Sequence, residues 1–248
     1  MVVAYGDHPS QVADLLVPPG DGPHPVVVLV HGGFWRADFD RTLMDPLAGN
    51  AVRRGWAVWN IEYRRVGEPG GGWPTTLADV GAAVDHLATL ASEHHLDLAR
   101  VVAAGHSAGG HLALWLATRP GLPDDAPGAA PAVVITAAVS QAGVADLRAS
   151  EEAGLGGGAA AALLGGSPTA VPDRYDLASP IERLPVGVPT LCVHGGGDPI
   201  VPIAQSEAWV AAARAAGDEA ELVSFSGGHF EVLDPDHESW QAVVERLS

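Results

Sequence analysis

Apolar positions along this chain fall into two rhythms. Residues 26–30, VVVLV, form an unbroken apolar and largely β-branched run with no polar alternation. Such a run predicts a strand buried on both faces, as in a parallel sheet. Residues 2–5 and 12–17 are shorter apolar segments, separated by GDHPS and closed by PPGDGPHP, and they read as strands bounded by turns. Residues 55–62 give the next strand, and residues 41–54 before it have room for a helix. Across 75–94, Leu77, Val80, Val84, Leu87 and Leu90 recur at spacings of three and four, which predicts a helix with Thr75 or Thr76 as its cap. A strand at 100–105 runs toward a helix at 108–118, which Arg119-Pro120-Gly121 stops. Strands follow at 132–139, 189–193 and 221–225, with helices at 203–216 and 237–247.

Strands alternating with helices of 10–20 residues imply βαβ units, hence an α/β fold. The expectation is a mostly parallel eight-stranded sheet with helices on both faces, in one domain spanning 1–248. Residues 140–188 break the rhythm with VADL, the Ala/Gly-rich AGLGGGAAAALLGG and YDLASPIERL, read as short helices and loops of a small cap. The Gly-rich piece has neither a preceding strand nor a GK[ST] ending, so it is not read as a phosphate loop.

Composition narrows the function classes. The charge balance is 13 basic residues, all arginine, against 30 acidic ones, a net charge of −17. No basic cluster is available to neutralise phosphates, so nucleic acid is not an expected partner. Cys192, the single cysteine, excludes an internal disulfide and a Cys-rich metal site. The opening MVVAYGDHPS lacks the basic-then-apolar order of a secretory signal, and no apolar run approaches the roughly 18 residues of a membrane span. A cytoplasmic protein without membrane contact is the expectation. Nothing in the pattern specifies an oligomeric state.

The chemistry concentrates at Gly105-His-Ser-Ala-Gly109, a G-x-S-x-G sequence set between a strand and a helix. In that setting the turn lifts the Ser107 hydroxyl off the sheet as a nucleophile, with the helix N–H groups facing the charge that develops beside it. An oxyanion needs preorganised donors. Ala108 supplies one N–H by position, and the loop His31-Gly-Gly-Phe-Trp35 directly after VVVLV supplies Gly33 and Phe34. His31 holds that loop, and Glu62 braces it. Trp35 either lines the pocket or packs beneath it, and Trp73 in GGGWP is a second aromatic candidate for the substrate pocket.

Of the 11 histidines, His229 follows the strand ELVSF through Ser-Gly-Gly and is read as the base, with His237 its one serious rival. His106 and His111 are assigned to packing or hydrogen bonding. Asp198 leaves the strand PTLCV through His-Gly-Gly-Gly and is read as the acid that fixes the His229 tautomer; Asp173 and Asp176 lie in the cap without a strand to position them. The order Ser107, Asp198, His229 fits a nucleophile followed by its acid and base. No metal or organic cofactor is required by this chemistry.

These segments together resemble the α/β-hydrolase superfamily. Within it, HGGFW, EYRR and GHSAGG, with YGDHPSQVADLLVP, GGGWPTTLADV and LASPIERL, resemble the arylformamidase (kynurenine formamidase) and small-carboxylesterase group over about residues 5–247. The resemblance implies nucleophile, acid and base at Ser107, Asp198 and His229. It implies a small-molecule substrate, either a carboxylic ester or an aryl formamide. The competing class is a non-catalytic interaction protein on the same fold.

Overall fold

The computed structural model describes residues 1–247, whose eight strands form one sheet in the order β1-β2-β4-β3-β5-β6-β7-β8. These are β1 (Val2–Ala4), β2 (Val12–Leu16), β3 (His24–Val30), β4 (Ala57–Ile61), β5 (Leu96–His106), β6 (Ala137–Gln141), β7 (Thr190–Gly195) and β8 (Ala220–Phe225). β1 and β2 run antiparallel at one edge, while β4, β3, β5, β6, β7 and β8 are parallel. The helices are α1 (Asp45–Arg53), α2 (Thr75–Leu90), α3 (Ala108–Thr118), α4 (Leu147–Glu152), α5 (Ala159–Leu164), α6 (Pro172–Ala178), α7 (Ala204–Ala215) and α8 (Glu238–Leu247). This is the α/β-hydrolase arrangement.

The unbroken apolar run of β3 follows from cover on both faces. Val26, Val28 and Val30 enter a core with Trp59, Val84, Trp115 and Trp209, contributed in part by α2, α3 and α7. Val27 and Leu29 enter a second core with Met44, Leu47 and Trp240, from the α1 and α8 side. Helices α4 to α6 lie between β6 and β7. They are tied to the body at several points: Trp115 Nε1 donates to Leu177 O at 3.1 Å, Trp73 N to Leu163 O at 2.7 Å and Arg36 Nη2 to Gly156 O at 2.6 Å.

Three local expectations are corrected. The helix expected over 75–94 ends at Leu90, followed by a turn in which His95 has φ 53°. Neither threonine caps it by side chain; Thr76 Oγ1 instead donates to Arg64 O at 2.6 Å and accepts from Gly72 N at 3.1 Å. The strand expected at 132–139 starts only at Ala137. Its first residues are drawn away because Asp85 Oδ1 accepts from the N–H groups of Ala132 and Val133 at 2.9 and 3.0 Å. Asp85 also pairs with the buried guanidinium of Arg119 at 2.6 Å.

Removing the carboxylate from Asp85 leaves the buried Arg119 cation with only the Gly128 carbonyl as acceptor and two N–H groups with none. Asp85→Ala is expected to cost about 3 kcal/mol, since breaking one side of a buried pair strands the other charge. A urea denaturation midpoint unchanged from the parent would contradict this.

Candidate active site

The chain turns sharply where β5 meets α3. Ser107 sits at that turn with φ 56° and ψ −118°, a left-handed backbone that a side chain adopts only under constraint. The constraint is close backbone packing. A β-carbon on Gly105 would collide with the carbonyl of Gly109, and one on Gly109 with the carbonyl of Val30. Ser107 N donates to Gln141 O at 2.8 Å, and His111 N to Ser107 O at 3.1 Å, so the turn is bonded on both sides. The Ser107 side chain lines a cavity of about 110 Å³.

The loop after β3 forms another wall. Gly33, Phe34 and Trp35 have φ of 110°, 49° and 57°, three successive positive values. The N–H groups of Gly33 and Phe34 have no acceptor among the described residues. The Ala108 N–H opens α3 and so lacks a partner within its helix. What holds the loop is a buried polar cluster. His31 sits between two oxygens, with Nε2 2.7 Å from Glu62 Oε1 and Nδ1 2.8 Å from Gly32 O. Tyr63 stacks on the His31 ring at 4.5 Å and donates to His31 O at 2.9 Å. Glu62 also accepts from Tyr63 N and Arg41 N, each at 3.0 Å. Burial, followed by the nearby Glu62 charge, pushes the Tyr63 phenol well above its ordinary range.

Loops after β7 and β8 bring Asp198 and His229 together. His229 Nδ1 donates to Asp198 Oδ2 at 2.6 Å. The other carboxylate oxygen accepts from Ile200 N at 2.8 Å and Val201 N at 3.0 Å. Burial favours the neutral acid, but the hydrogen bonds from His229 and from the Val201 and Ile200 N–H groups outweigh it, and the carboxyl titrates below its ordinary range. With Nδ1 so occupied, His229 leaves Nε2 for the cavity, which it lines together with Ser107. Among the described residues no hydrogen bond joins Ser107 Oγ to His229; such bonds commonly tighten only when substrate is present.

The remaining cavity walls are Gly33, Phe34, Phe39, Leu43, His106, Ile200 and Phe230. Phe39 and Phe230 are 46% and 52% exposed, so two aromatic rings stand at the mouth. Phe39 is held there through its carbonyl, which accepts from the Arg65 guanidinium. Nothing in the sequence pattern singled out Phe39, Leu43 or Ile200 for this wall. Phe230 was not singled out either, although its adjacency to His229 offered a signal.

Both aromatic pocket candidates are placed elsewhere. Trp35 is fully buried in the core, where Nε1 donates to His111 Nδ1 at 3.2 Å. The positive φ of the loop turns its side chain inward, beneath residues 31–34. Trp73 is half-buried, packs on the same core and is absent from the cavity wall. His237 bonds Ser239 Oγ at 2.8 Å at the start of α8, away from this cavity. His106 donates from Nε2 to His229 O at 2.9 Å, and His111 from Nε2 to Ala178 O at 2.9 Å. Among the described residues, no three His, Cys, Asp or Glu side chains are grouped to hold a metal ion, and no helix is long and apolar enough to cross a membrane.

The BD-FAE family model matches residues 13–212. The chain is 32% identical over 206 residues to the esterase LipQ of Mycobacterium tuberculosis, covering 82% of this chain and 48% of LipQ. It is 28% identical to the esterase LipC of the same organism, over 94% of this chain and 60% of LipC. The chain thus spans about half the length of the curated relatives it matches. Among solved structures, a truncated carbohydrate esterase from gut microbiota superposes with a TM-score of 0.85 at 22% identity, covering 99% of this chain and 93% of that one. Butyrate-bound esterase 2 of Thermogutta terrifontis superposes with a TM-score of 0.80 at 23% identity, covering 100% and 92%. These two likenesses describe the fold.

The buried histidines make stability depend on pH. Burial pushes His106 down to about 3 and His111 down to about 4, against 6.5 for the free side chain. Between pH 6.5 and about 4 the unfolded chain therefore binds more protons than the folded one. Stability then falls as pH falls through that window. The urea midpoint is expected to drop between neutral pH and pH 4 and to drop less steeply in His111→Gln; a midpoint that holds constant on acidification would refute the assignment.

Proposed function

The chain belongs to the BD-FAE family of α/β-hydrolase esterases, and from that premise we propose that it is a serine hydrolase cleaving small carboxylic esters through an acyl-enzyme. The observation that carries this reading is one cavity lined by both Ser107 and His229, with Asp198 hydrogen-bonded behind the imidazole at 2.6 Å. His229 Nε2 takes the Ser107 proton as Oγ attacks the ester carbonyl. The new oxyanion receives the N–H groups of Ala108, Gly33 and Phe34. Asp198 holds the proton on Nδ1 and stabilises the imidazolium. Collapse breaks the acyl C–O bond, and His229 returns the proton to the departing alkoxide. A water, deprotonated by the same imidazole, then releases the acid and regenerates the serine.

Cavity size supports a small acyl group. Its volume of about 110 Å³ is well below the roughly 300–1,000 Å³ of sites that enclose drug-sized ligands. The segment carrying α4 to α6 acts as a small cap within a single hydrolase domain. An aryl formamide is the second reading, favoured by HGGFW and by the aromatic mouth. Its stacking surface would be Phe39 or Phe230 rather than Trp35, which is buried. The oxyanion donors meet only a carbonyl oxygen, so the same machinery accepts either bond.

Ser107→Ala and Asp198→Asn are each expected to lower kcat by about 10⁴-fold or more while the protein stays folded, and a phosphonate probe is expected to label Ser107 alone. Activity of Ser107→Ala at the parental level would end the serine-hydrolase reading.

Across p-nitrophenyl esters, acetate or butyrate is expected to give the highest kcat/KM; a maximum at twelve carbons or beyond would contradict the small cavity. Competition of N-formylkynurenine with these esters separates the two substrates. A formamide kcat/KM within about tenfold of the best ester would replace the ester reading with the arylformamidase one.

A further inference from the structure

The mechanism above makes no use of His194, although its side chain is fully buried directly behind the acid. This residue lies in β7, four positions before Asp198. Its Nε2 stands 2.9 Å from Val201 O and therefore carries the ring proton. Its Nδ1 then accepts, and Ser206 Oγ on α7 donates to it at 2.7 Å. The same Nε2 is 3.3 Å from Asp198 Oδ2, the oxygen that holds His229. Both nitrogens of the ring are thus used, and Ser206, His194, Asp198 and His229 form one contiguous chain.

We propose that His194 is a positioning residue: fixed by Ser206, it anchors the loop 198–201 through Val201 O and shares Asp198 Oδ2 with His229. The proposal rests on the triad reading given above. Its physical content is a competition for one carboxylate oxygen. A second N–H directed near Oδ2 draws off part of its negative charge, so the oxygen grips the His229 proton less tightly. The imidazolium is then stabilised less than it would be if Oδ2 faced His229 alone. Burial, the leading influence, keeps His194 itself below its ordinary basicity, consistent with a neutral donor.

Other titratable groups face this pair. His106 on β5, its ring 4.7 Å from His229, is pushed by burial down to about 3. Cys192 on β7, beside Ser206, is pushed by burial up to about 12. Glu231 in the turn after His229 is held low by backbone N–H groups. His31 lies across the oxyanion loop, paired with Glu62.

The test is the pH profile of p-nitrophenyl acetate hydrolysis from about pH 4.5 to 9 for the parent, His194→Leu, His194→Gln and Ser206→Ala, each checked for folding by its urea midpoint. In His194→Leu the acid limb of kcat/KM is expected to move up by about half a pH unit or more. Its kcat is expected to fall by about tenfold with KM little changed, a part of the roughly 10²–10⁴ that a positioned base supplies. His194→Gln, whose amide can reach the Nε2 position, restores most of both. Ser206→Ala moves both in the same direction by less. A folded His194→Leu with the parental acid limb, or a His194→Gln no better than it, overturns the proposal. If His194→Leu does not fold, Ser206→Ala decides, and a parental limb and kcat there overturn it. Phosphonate labelling of Ser107 and the loss of activity in Asp198→Asn test the triad separately. If those hold while the His194 and Ser206 variants are silent, only the positioning role falls; if they fail, the triad reading falls and takes this proposal with it.

Discussion

Three backbones meet at the turn between β5 and α3 with no room for a side chain between them. The carbonyl of Val30 occupies the space a β-carbon on Gly109 would need, and the carbonyl of Gly109 does the same to Gly105. This packing seats the start of α3 against the C-terminal ends of β3 and β5, and forces Ser107 to φ 56°. The cost of that backbone conformation, about 1–3 kcal/mol, is offset by the two cores that clamp the central strands from both faces. Because β3 is one of the three backbones, the loop that leaves it is carried to the same point. That Ser107, Gly33 and Phe34 line one cavity is thus a consequence of sheet order.

Around this contact, buried charge is spent on holding loops in shape. Glu62 takes donors from His31, Tyr63 and Arg41, and Arg65 lies 3.3 Å away. Asp79, almost wholly buried, takes Arg64 through two side-chain bonds and Gln11 through a third at 2.8 Å. Asp85, itself partly exposed, does likewise with the buried Arg119 and two backbone N–H groups. A buried carboxylate is tolerable only with such a full set of donors. Arginine suits these places because its planar fork meets both carboxylate oxygens at once. The net charge of −17 belongs to the rest of the surface and bears little on these sites.

The histidines divide by the same logic. His106, His111 and His194 each donate one ring proton to a carbonyl inside the protein and are neutral by burial. His229 instead bonds a carboxylate and keeps its second nitrogen for the cavity. The carboxylate partner at Nδ1 is what sets His229 apart from these three.

Local pattern carried the order of strands and helices, the double cover of VVVLV, the sharp turn at Ser107, and the positions of Asp198 and His229 at the ends of neighbouring strands. Each depends on residues adjacent in the chain, or on a strand end that a turn must follow. Tertiary structure alone decided the rest. Trp35 points into the core because its indole finds an acceptor on His111, 76 positions away. The strand at 132–139 begins late because Asp85, 47 positions before Ala132, captures its first N–H groups. Phe39 reaches the cavity mouth because Arg65 holds its carbonyl, and His194 reaches Asp198 because Ser206 and Val201 fix its ring. A periodicity records which face of an element is apolar; it holds no record of which distant donor will claim a particular oxygen, and those claims set the shape of the cavity.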